Sequence, residues 1–277
     1  MTKLKLGRNV YGKSAIRLVK VIRDPDQHVV RDLTVAIALE GDFAASYVDG
    51  DNALVIATDT MKNTTYALAA EHLTGPIEAF ATVLGGHFLG EPQVDIATVT
   101  IEEHRWAPIG HAPDAFVRDP GSIRTAVVAA TRSSLAIDAG IDGLTVMKTA
   151  HSGFSGFPRD AFTTLPETDD RILATKITAT WRYGSQPDYD KAHAAIVETL
   201  LRVFTNHDSR SVQETIWLIG RAIVERHHDV DEITITMPNL HHLLVDLSPF
   251  GFPNDRQIFV STTEPHGLIQ ATIRRGE

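Results

Sequence analysis

The feature that most constrains the fold of this chain is one order of secondary-structure patterns that occurs twice. In each half, two strand patterns with apolar residues at alternate positions precede two helix-length segments, and two further strand patterns follow. The first copy has predicted strands at Ile16–Val21, Leu33–Leu39, Val94–Ile101 and Ile123–Thr131, and helices at about 60–70 and 76–89. The second copy has predicted strands at Leu144–Lys148, Ile172–Tyr183, Ile233–Met237 and Leu243–Leu247, and helices at about 189–206 and 211–227.

We interpret this repetition as two tandem halves, residues 1–137 and 138–277. The sequence has no linker rich in Pro, Gly or Ser that would separate independent domains. Strand pairs that alternate with helix pairs are typical of an α+β fold, in which helices cover one face of an antiparallel sheet. Because exposed sheet edges pair readily with other chains, we expect an oligomer that covers them.

Composition limits the chemistry that the chain can use. Its 277 residues include no cysteine, which excludes disulfides, thiolate metal ligands and cysteine nucleophiles. The formal net charge of −9 disfavours nonspecific binding to nucleic acid or anionic lipid but still admits a small anionic ligand. No apolar run approaches the ~20 residues that cross a bilayer, and the first residues lack a signal peptide's apolar core. We therefore expect a cytoplasmic protein with no nucleic-acid or membrane partner.

The histidines are the obvious candidates for metal ligands, since imidazole is a common ligand. The pairs His227-His228 and His241-His242 do not form a ligand set, because neighbouring residues on a strand point in opposite directions. The sequence has no His-Glu-x-x-His motif and no Gly-x-Gly-x-x-Gly turn. We expect no dedicated metal centre, no dinucleotide cofactor and no phosphate-binding loop.

Three segments resemble signature segments of the urate oxidase family, namely Tyr11–Lys13, Ala57–Thr64 and Pro238–His241. The similarity continues, in order along the chain, through His104–Trp106, Phe116–Asp119, Gly143–Val146, Phe154–Phe157, Asp170–Leu173 and Ser211–Gln213. A single short segment would be a weak signal. The ordered series covers nearly the whole chain, and this makes the resemblance specific.

The resemblance implies a tunnelling fold (T-fold), whose sheets close into a barrel across subunits, and a homotetramer with active sites at subunit interfaces. It also implies oxidation of urate by molecular oxygen and water to 5-hydroxyisourate and hydrogen peroxide without a cofactor. In this reaction the urate dianion reduces oxygen directly, and water attacks after a hydroperoxide has formed. The C-terminal residues lack the peroxisomal Ser-Lys-Leu address, so we expect a bacterial cytoplasmic enzyme.

The resemblance assigns proton transfer to Lys13, Thr58 and His241. By themselves these residues would be interpreted as a solvated lysine, a helix cap and a surface histidine. In the family, the matching lysine contacts the threonine, and the histidine completes a proton relay with both. Asn239 and His241 face the same side if they lie on a strand, and the resemblance places oxygen or water near Asn239 and Thr58.

The resemblance assigns substrate binding to a second set of residues. Arg171 offers parallel N–H donors to an anionic purine, and the Gln213 amide pairs with the opposite edge of the ring. Phe154 stacks on the ring, and Thr58 also contacts it. Val212 and Asp59 contribute backbone N–H groups. Without the resemblance, Arg171 would be a surface salt bridge with its aspartate neighbours, Gln213 a solvated helix residue and Phe154 a core residue.

Two other functions remain open at this point. The chain could be another T-fold enzyme, a metal-dependent pterin or purine cyclohydrolase or synthase. It could also be a catalytically silent purine-binding or scaffold protein. Metal analysis tests the first alternative, and peroxide release on addition of urate tests the second.

Overall fold

The structure is a computed structural model that describes residues 4–276. The chain forms two compact units that divide between Gly140 and Ile141. Strand β7 (Leu135–Lys148) carries the chain from the first unit into the second. Each unit is an antiparallel sheet with a pair of long helices, so the predicted α+β class and its duplication are confirmed.

The first unit has a four-stranded antiparallel path in the order β1-β2-β3-β6, and β7 follows β6. Its elements are β1 (Tyr11–Ile22), β2 (Val29–Gly41), α1 (Ala44–Val48), α2 (Thr58–His72), α3 (Ile77–Leu89), β3 (Val94–Glu103), β4 (Trp106–Pro108), β5 (Phe116–Arg118) and β6 (Ile123–Ala130). Leu33, Val35, Ile37 and Leu39 alternate along β2 and are almost fully buried. Helix α3 packs on β3 and β6, and α2 packs on β1. The alternating apolar residues thus form the core between sheet and helices.

The second unit repeats this plan with two more strands at its end. Its further elements are β8 (Leu173–Tyr183), α4 (Tyr189–Thr205), α5 (Val212–Arg226), β9 (Val230–Thr236), β10 (Asn239–Leu244), a 3-10 turn (Ser248–Phe250), β11 (Phe259–Gly267) and β12 (Gln270–Arg274). Strand β8 pairs with β9 along most of its length, and through Ala174 and Thr175 it pairs with β10. Strand β12 pairs with β9 and β11 pairs with β10. Helix α5 packs on β9 and β12.

The predicted long helices agree with the structure to within a few residues, but several strands differ. The strand predicted at Leu243–Leu247 is wrong in its bounds, because β10 spans Asn239–Leu244. Strands β4, β5, β11 and β12 and the first half of β7 were not predicted. Most residues of β12 and all of β4 are exposed, so these strands lack the alternation of buried apolar residues that reveals a strand in sequence. No helix among the described residues is long and apolar enough to span a membrane.

Candidate active site

Four of the predicted site residues line one cavity in the second unit. Phe154, Arg171, Asn239 and His241 surround a volume of about 160 Å³. Asn239 begins β10 opposite Thr175 of β8, and His241 lies two residues further along the same strand. The predicted placement of both side chains on one side of a strand is consistent with this shared cavity. Asn239 is 9 % exposed, whereas His241 is half-buried, so the cavity has an inner amide and an outer imidazole.

Arg171 is a half-buried cation that has no anionic partner among residues 4–276. Its Nε is buried without a hydrogen-bond partner, and its guanidinium carbon lies 5.3 Å from the centroid of the Phe154 ring. Burial lowers the pKa of Arg171 below its usual value, because desolvation disfavours the charged form. The backbone N–H of Arg171 donates to the carbonyl of Ser152 at 2.6 Å, which fixes the residue beside the cavity. Such a cation is suited to an anionic ligand.

Arg171 does not form a salt bridge with its aspartate neighbours, which was the interpretation of this residue without the family resemblance. Its neighbour Asp170 instead pairs with Arg256, with Nη1 and Oδ2 3.0 Å apart. Asp169 is exposed and forms no ion pair within the described part of the chain. The pairing of Asp170 with Arg256, 86 residues later, leaves the guanidinium of Arg171 available.

The backbone N–H and carbonyl of Phe154 both form hydrogen bonds. Its N–H donates to the Thr168 carbonyl at 2.7 Å, and its carbonyl accepts from the Thr168 N–H at 3.0 Å. Glycine at position 153 favours this close approach of the two segments, since a Cβ there would lie in tight contact, 3.1 Å from the carbonyl oxygens of Thr168 and Asp169. The Phe154 ring stacks on Phe157, with centroids 4.9 Å apart and an interplanar angle of 13°. Phe157 covers one face of the Phe154 ring, and the Arg171 guanidinium also lies over the ring, so both side chains adjoin the aromatic surface on which a planar ligand would stack.

A larger cavity of about 600 Å³ shares Phe154 and Thr168 with the first one. Its wall includes Ser209 and Arg210, which precede the start of α5. The carbonyl of Ser209 accepts from the Gly153 N–H at 2.7 Å and joins this segment to the loop that carries Phe154.

Val212 and Gln213 are the first two residues of α5 and line neither of these two cavities. The side chain of Ser211 caps the helix by accepting from the Glu214 N–H at 3.1 Å. The N–H groups of Val212 and Gln213 have no partner within the helix, and they lie at its positive end. Gln213 is exposed and Val212 is buried.

The other three predicted residues lie in the first unit, on β1 and at the start of α2. Thr58 is the first residue of α2, and Ala57 is the N-cap residue, so the interpretation of Thr58 as a helix cap is wrong. The Thr58 hydroxyl forms no hydrogen bond in the described chain. Asp59 follows it and pairs with Lys62; the hydrogen bond and charge of Lys62 lower the pKa of Asp59, with a smaller contribution from Lys13. Lys13 thus lies near the start of α2. Within residues 4–276, Lys13 and Thr58 form no direct hydrogen bond with each other.

Tyr11 connects these two segments and was not identified from the sequence as a functional residue. Its hydroxyl accepts a hydrogen bond from the backbone N–H of Ile56 at 2.9 Å. Its ring packs edge-on against Phe43 with centroids 4.7 Å apart, and burial raises the pKa of its phenol. Tyr11 lies two residues before Lys13 and Ile56 lies two residues before Thr58, so this bond fixes β1 relative to the start of α2.

One glycine pattern was overlooked in the sequence. Residues 7–14 spell Gly-x-x-x-x-Gly-Lys-Ser, the pattern of a phosphate-binding loop. That function needs a loop between a strand and a helix, but Gly12 and Lys13 lie within β1 and pair with Ala38 and Ile37 of β2. A Cβ at Gly12 would lie 1.8 Å from the Ile37 carbonyl oxygen, so its glycine is explained by strand packing. The pattern does not form a phosphate site.

No group of three or more His, Asp or Glu side chains in residues 4–276 is arranged to hold a metal ion. His241 and His242 both line the smaller cavity, but His242 directs its Nδ1 to the Leu240 carbonyl at 3.1 Å.

The duplicated antiparallel sheets, paired helices and cation-lined cavity define an α+β protein of the T-fold class. A sequence profile of the family described as Uricase matches residues 9–129 and 137–270. The chain belongs to the uricase family.

Individual relatives agree with this assignment. The chain is 46% identical to a uricase from Arthrobacter globiformis over 276 residues, which covers 99% of this chain and 91% of that protein. It is 36% identical to a uricase from Dictyostelium discoideum, with 96% of each chain covered. A crystal structure of Arthrobacter globiformis uricase superposes with a TM-score of 0.96 over 99% of this chain and 96% of that chain. A Bacillus sp. TB-90 urate oxidase structure, 24% identical, shares the fold with a TM-score of 0.85 over 96% of this chain and 100% of that chain.

Proposed function

We propose that this protein is a urate oxidase that converts urate, molecular oxygen and water to 5-hydroxyisourate and hydrogen peroxide without a cofactor. The observation that carries the proposal is the cavity in which Arg171 has no anionic partner and lies over Phe154, beside Asn239 and His241. A flat, anionic heterocycle matches these groups, and membership of the uricase family supports urate as that ligand.

Urate binding uses three kinds of contact in this proposal. The Arg171 guanidinium pairs with adjacent oxygen and nitrogen acceptors on one edge of the ring, and the Gln213 amide pairs with the opposite edge. The Phe154 ring, beside the Arg171 guanidinium, stacks on the purine. The N–H groups of Val212 and Asp59, each in the first turn of a helix, donate to the polar edges of the anion.

Proton transfer in this proposal passes through Thr58, Lys13 and His241. The Thr58 hydroxyl takes a proton from urate monoanion as Lys13 accepts the hydroxyl proton, and His241 continues the relay. The urate dianion then gives two electrons to oxygen, which takes up the proton held by the relay and a second proton from solvent and leaves as hydrogen peroxide. Water supplies the oxygen atom of the new C–O bond and the protons that balance the product. Asn239, together with Thr58, holds oxygen or water above the ring.

The proposal includes a homotetramer whose barrels form across subunits. In this arrangement one subunit supplies the segments around Lys13 and Thr58, and another supplies those around Phe154, Arg171 and Gln213. Exposed apolar residues on strands support an assembly that covers them: Val19 and Val21 on β1, Leu243 and Leu244 on β10, and Val260 on β11. We also propose a bacterial cytoplasmic location; the similarity to the Arthrobacter protein supports the bacterial source.

The test is to incubate purified protein, freed of metal by chelation, with urate in an oxygen electrode. We expect equal amounts of urate and oxygen to be consumed and an equal amount of peroxide to form. Activity that is lost on chelation and restored by one metal would support the cyclohydrolase alternative instead. Binding of urate without peroxide release would support the silent purine-binding protein.

A further inference from the structure

Arg256 contacts the residue that immediately precedes Arg171. One guanidinium nitrogen, Nη1, lies 3.0 Å from Oδ2 of Asp170, and the other, Nη2, donates to the Asp170 carbonyl at 2.5 Å. Arg256 therefore holds both the side chain and the backbone of Asp170. The Oδ1 atom of the same carboxylate accepts from the His151 N–H at 2.9 Å, so both carboxylate oxygens of Asp170 are engaged.

Hydrogen bonds of the Asn254 side chain stabilise the loop that follows the 3-10 turn and carries Arg256. The Asn254 side chain donates to the carbonyls of Val245 and Ile258, both at 2.8 Å, and accepts from the N–H groups of Gln257 and Ile258, both at 3.0 Å. The backbone of Arg256 has φ 58°, in the left-handed region that side chains other than glycine rarely adopt. The backbone conformation of Arg256 costs free energy, which the Asn254 contacts and the contact with Asp170 offset.

The charges on this segment explain why the contact with Asp170 matters. Asp170 and Arg171 are adjacent in sequence, and Arg171 has no ion pair among the described residues. A carboxylate released from Arg256 would be attracted to the unpaired cation of the next residue, because opposite charges interact strongly in partly buried surroundings. An Arg171 neutralised within the chain would bind an anionic ligand less well.

We propose that Arg256 is a positioning residue for substrate binding: it retains the Asp170 carboxylate and so leaves Arg171 free for an anionic planar ligand. The inference rests on the proposed function for the identity of that ligand, urate. It assigns to Arg256 no contact with the substrate itself.

The test measures equilibrium binding of urate under anaerobic conditions to the full-length wild type and to Arg256→Gln, Arg256→Lys, Asp170→Asn and the double variant Arg256→Gln/Asp170→Asn. We expect Arg256→Gln to weaken binding by roughly three- to tenfold, the effect of one partly exposed ion pair. Arg256→Lys should retain most of the affinity, since it keeps the charge. The double variant should bind urate more tightly than Arg256→Gln, because asparagine retains the acceptor for His151 but cannot neutralise Arg171.

This recovery distinguishes positioning from a structural role. If Arg256 only stabilised the loop, removal of its partner would not restore binding, and the double variant would bind no better than Arg256→Gln. Such a result, or unchanged binding in Arg256→Gln, would overturn the inference. In turnover, KM should follow the binding constants while kcat stays within about twofold.

Arg132→Gln is the matched control. Arg132 also bridges a carboxylate, that of Asp95, and two backbone carbonyls, those of Glu91 and Pro92. It lies in the first unit. The substitution Arg132→Gln removes the same charge as Arg256→Gln and should leave urate binding unchanged. Wild-type protein that binds urate without oxidising it would contradict the proposed function and leave the binding comparison intact. Wild-type protein that does not bind urate would contradict both.

Discussion

The guanidinium carbon of Arg171 lies 5.3 Å from the centroid of the Phe154 ring, while the nearest carboxylate in sequence, Asp170, is paired with Arg256. The ring face offers the cation a weak electrostatic contact but no hydrogen-bond acceptors. An incoming anion can therefore pair with the guanidinium without displacing a carboxylate. An aromatic surface and an unpaired cation in one cavity select ligands that are both flat and negatively charged.

Arg171→Ala should weaken the binding of urate and of unreactive anionic purines to the same degree. The expected loss is roughly 10- to 100-fold, because a charge-assisted hydrogen-bonded pair contributes ~1.5–3 kcal/mol. Competition binding with a purine that the enzyme cannot oxidise measures this loss without turnover. Equal affinity in the variant and the wild type would contradict the role of the guanidinium.

Lys13→Met should reduce the chemical step far more than urate binding. Loss of a general base typically lowers kcat by roughly 10²- to 10⁴-fold, whereas KM should change little because Lys13 does not pair with the purine edges in the proposed site. Steady-state oxygen uptake at several urate concentrations separates the two parameters. Lys191→Met is a suitable control, since Lys191 pairs with Asp188 on the exposed side of α4. A normal kcat in Lys13→Met would remove Lys13 from the relay.

Tyr11→Phe should lower kcat and stability together. The substitution leaves the ring on Phe43 but removes the acceptor of the Ile56 N–H, at a cost of about 1 kcal/mol. Since Ile56 precedes the start of α2, we expect Thr58 to lose its fixed position near Lys13. Thermal unfolding and kcat should both be compared with Tyr47→Phe, whose hydroxyl makes one longer bond of 3.3 Å to Val10. Loss of stability with full kcat would restrict Tyr11 to a structural role.

His104 and His227 should make the fold less stable as the pH falls from neutral. Burial, followed by the charges of Arg17 and Arg118, lowers the pKa of His104, and burial with Arg202 lowers that of His227. The unfolded chain takes up these protons near pH 6.5, and the folded chain takes them up at lower pH, so stability is lost as pH drops through this window. Urea unfolding at several pH values measures the slope. Replacing either histidine by glutamine should reduce it, and an unchanged slope in both variants would refute the assignment.

The sequence alone predicted the α+β class, the duplication and the four long helices. The apolar periodicity is strong in α4 and α5 and weak in α2 and α3. The family resemblance assigned His241 to proton transfer and Arg171, Phe154 and Asn239 to the binding site, and these four residues line the same cavity. The sequence could not predict Arg256, which is far from Asp170 along the chain and lies in a loop without periodicity. Phe157 lies within Phe154–Phe157, one of the segments that resemble the family. Its stacking on Phe154 depends on the path of the chain between them and could not be predicted.

Active sites shared between subunits make a prediction that no single variant can test. If Lys13 comes from one subunit and Arg171 from another, neither the Lys13→Met protein nor the Arg171→Ala protein contains an intact site. When the two impaired proteins exchange subunits, half of the sites on average take position 13 from an Arg171→Ala chain. Half of those take position 171 from a Lys13→Met chain, so about a quarter of all sites regain both wild-type residues.

The experiment mixes the two proteins under conditions that allow subunit exchange and follows peroxide release with time. Mass spectrometry of differently labelled chains measures exchange independently, and sedimentation measures the oligomeric state, which we expect to be a tetramer. A mixture in which one partner carries both Lys13→Met and Arg171→Ala is the control, because no pairing with either single variant restores a whole site. No gain in peroxide release after demonstrated exchange, or an active monomer, would show that each chain carries its own complete site.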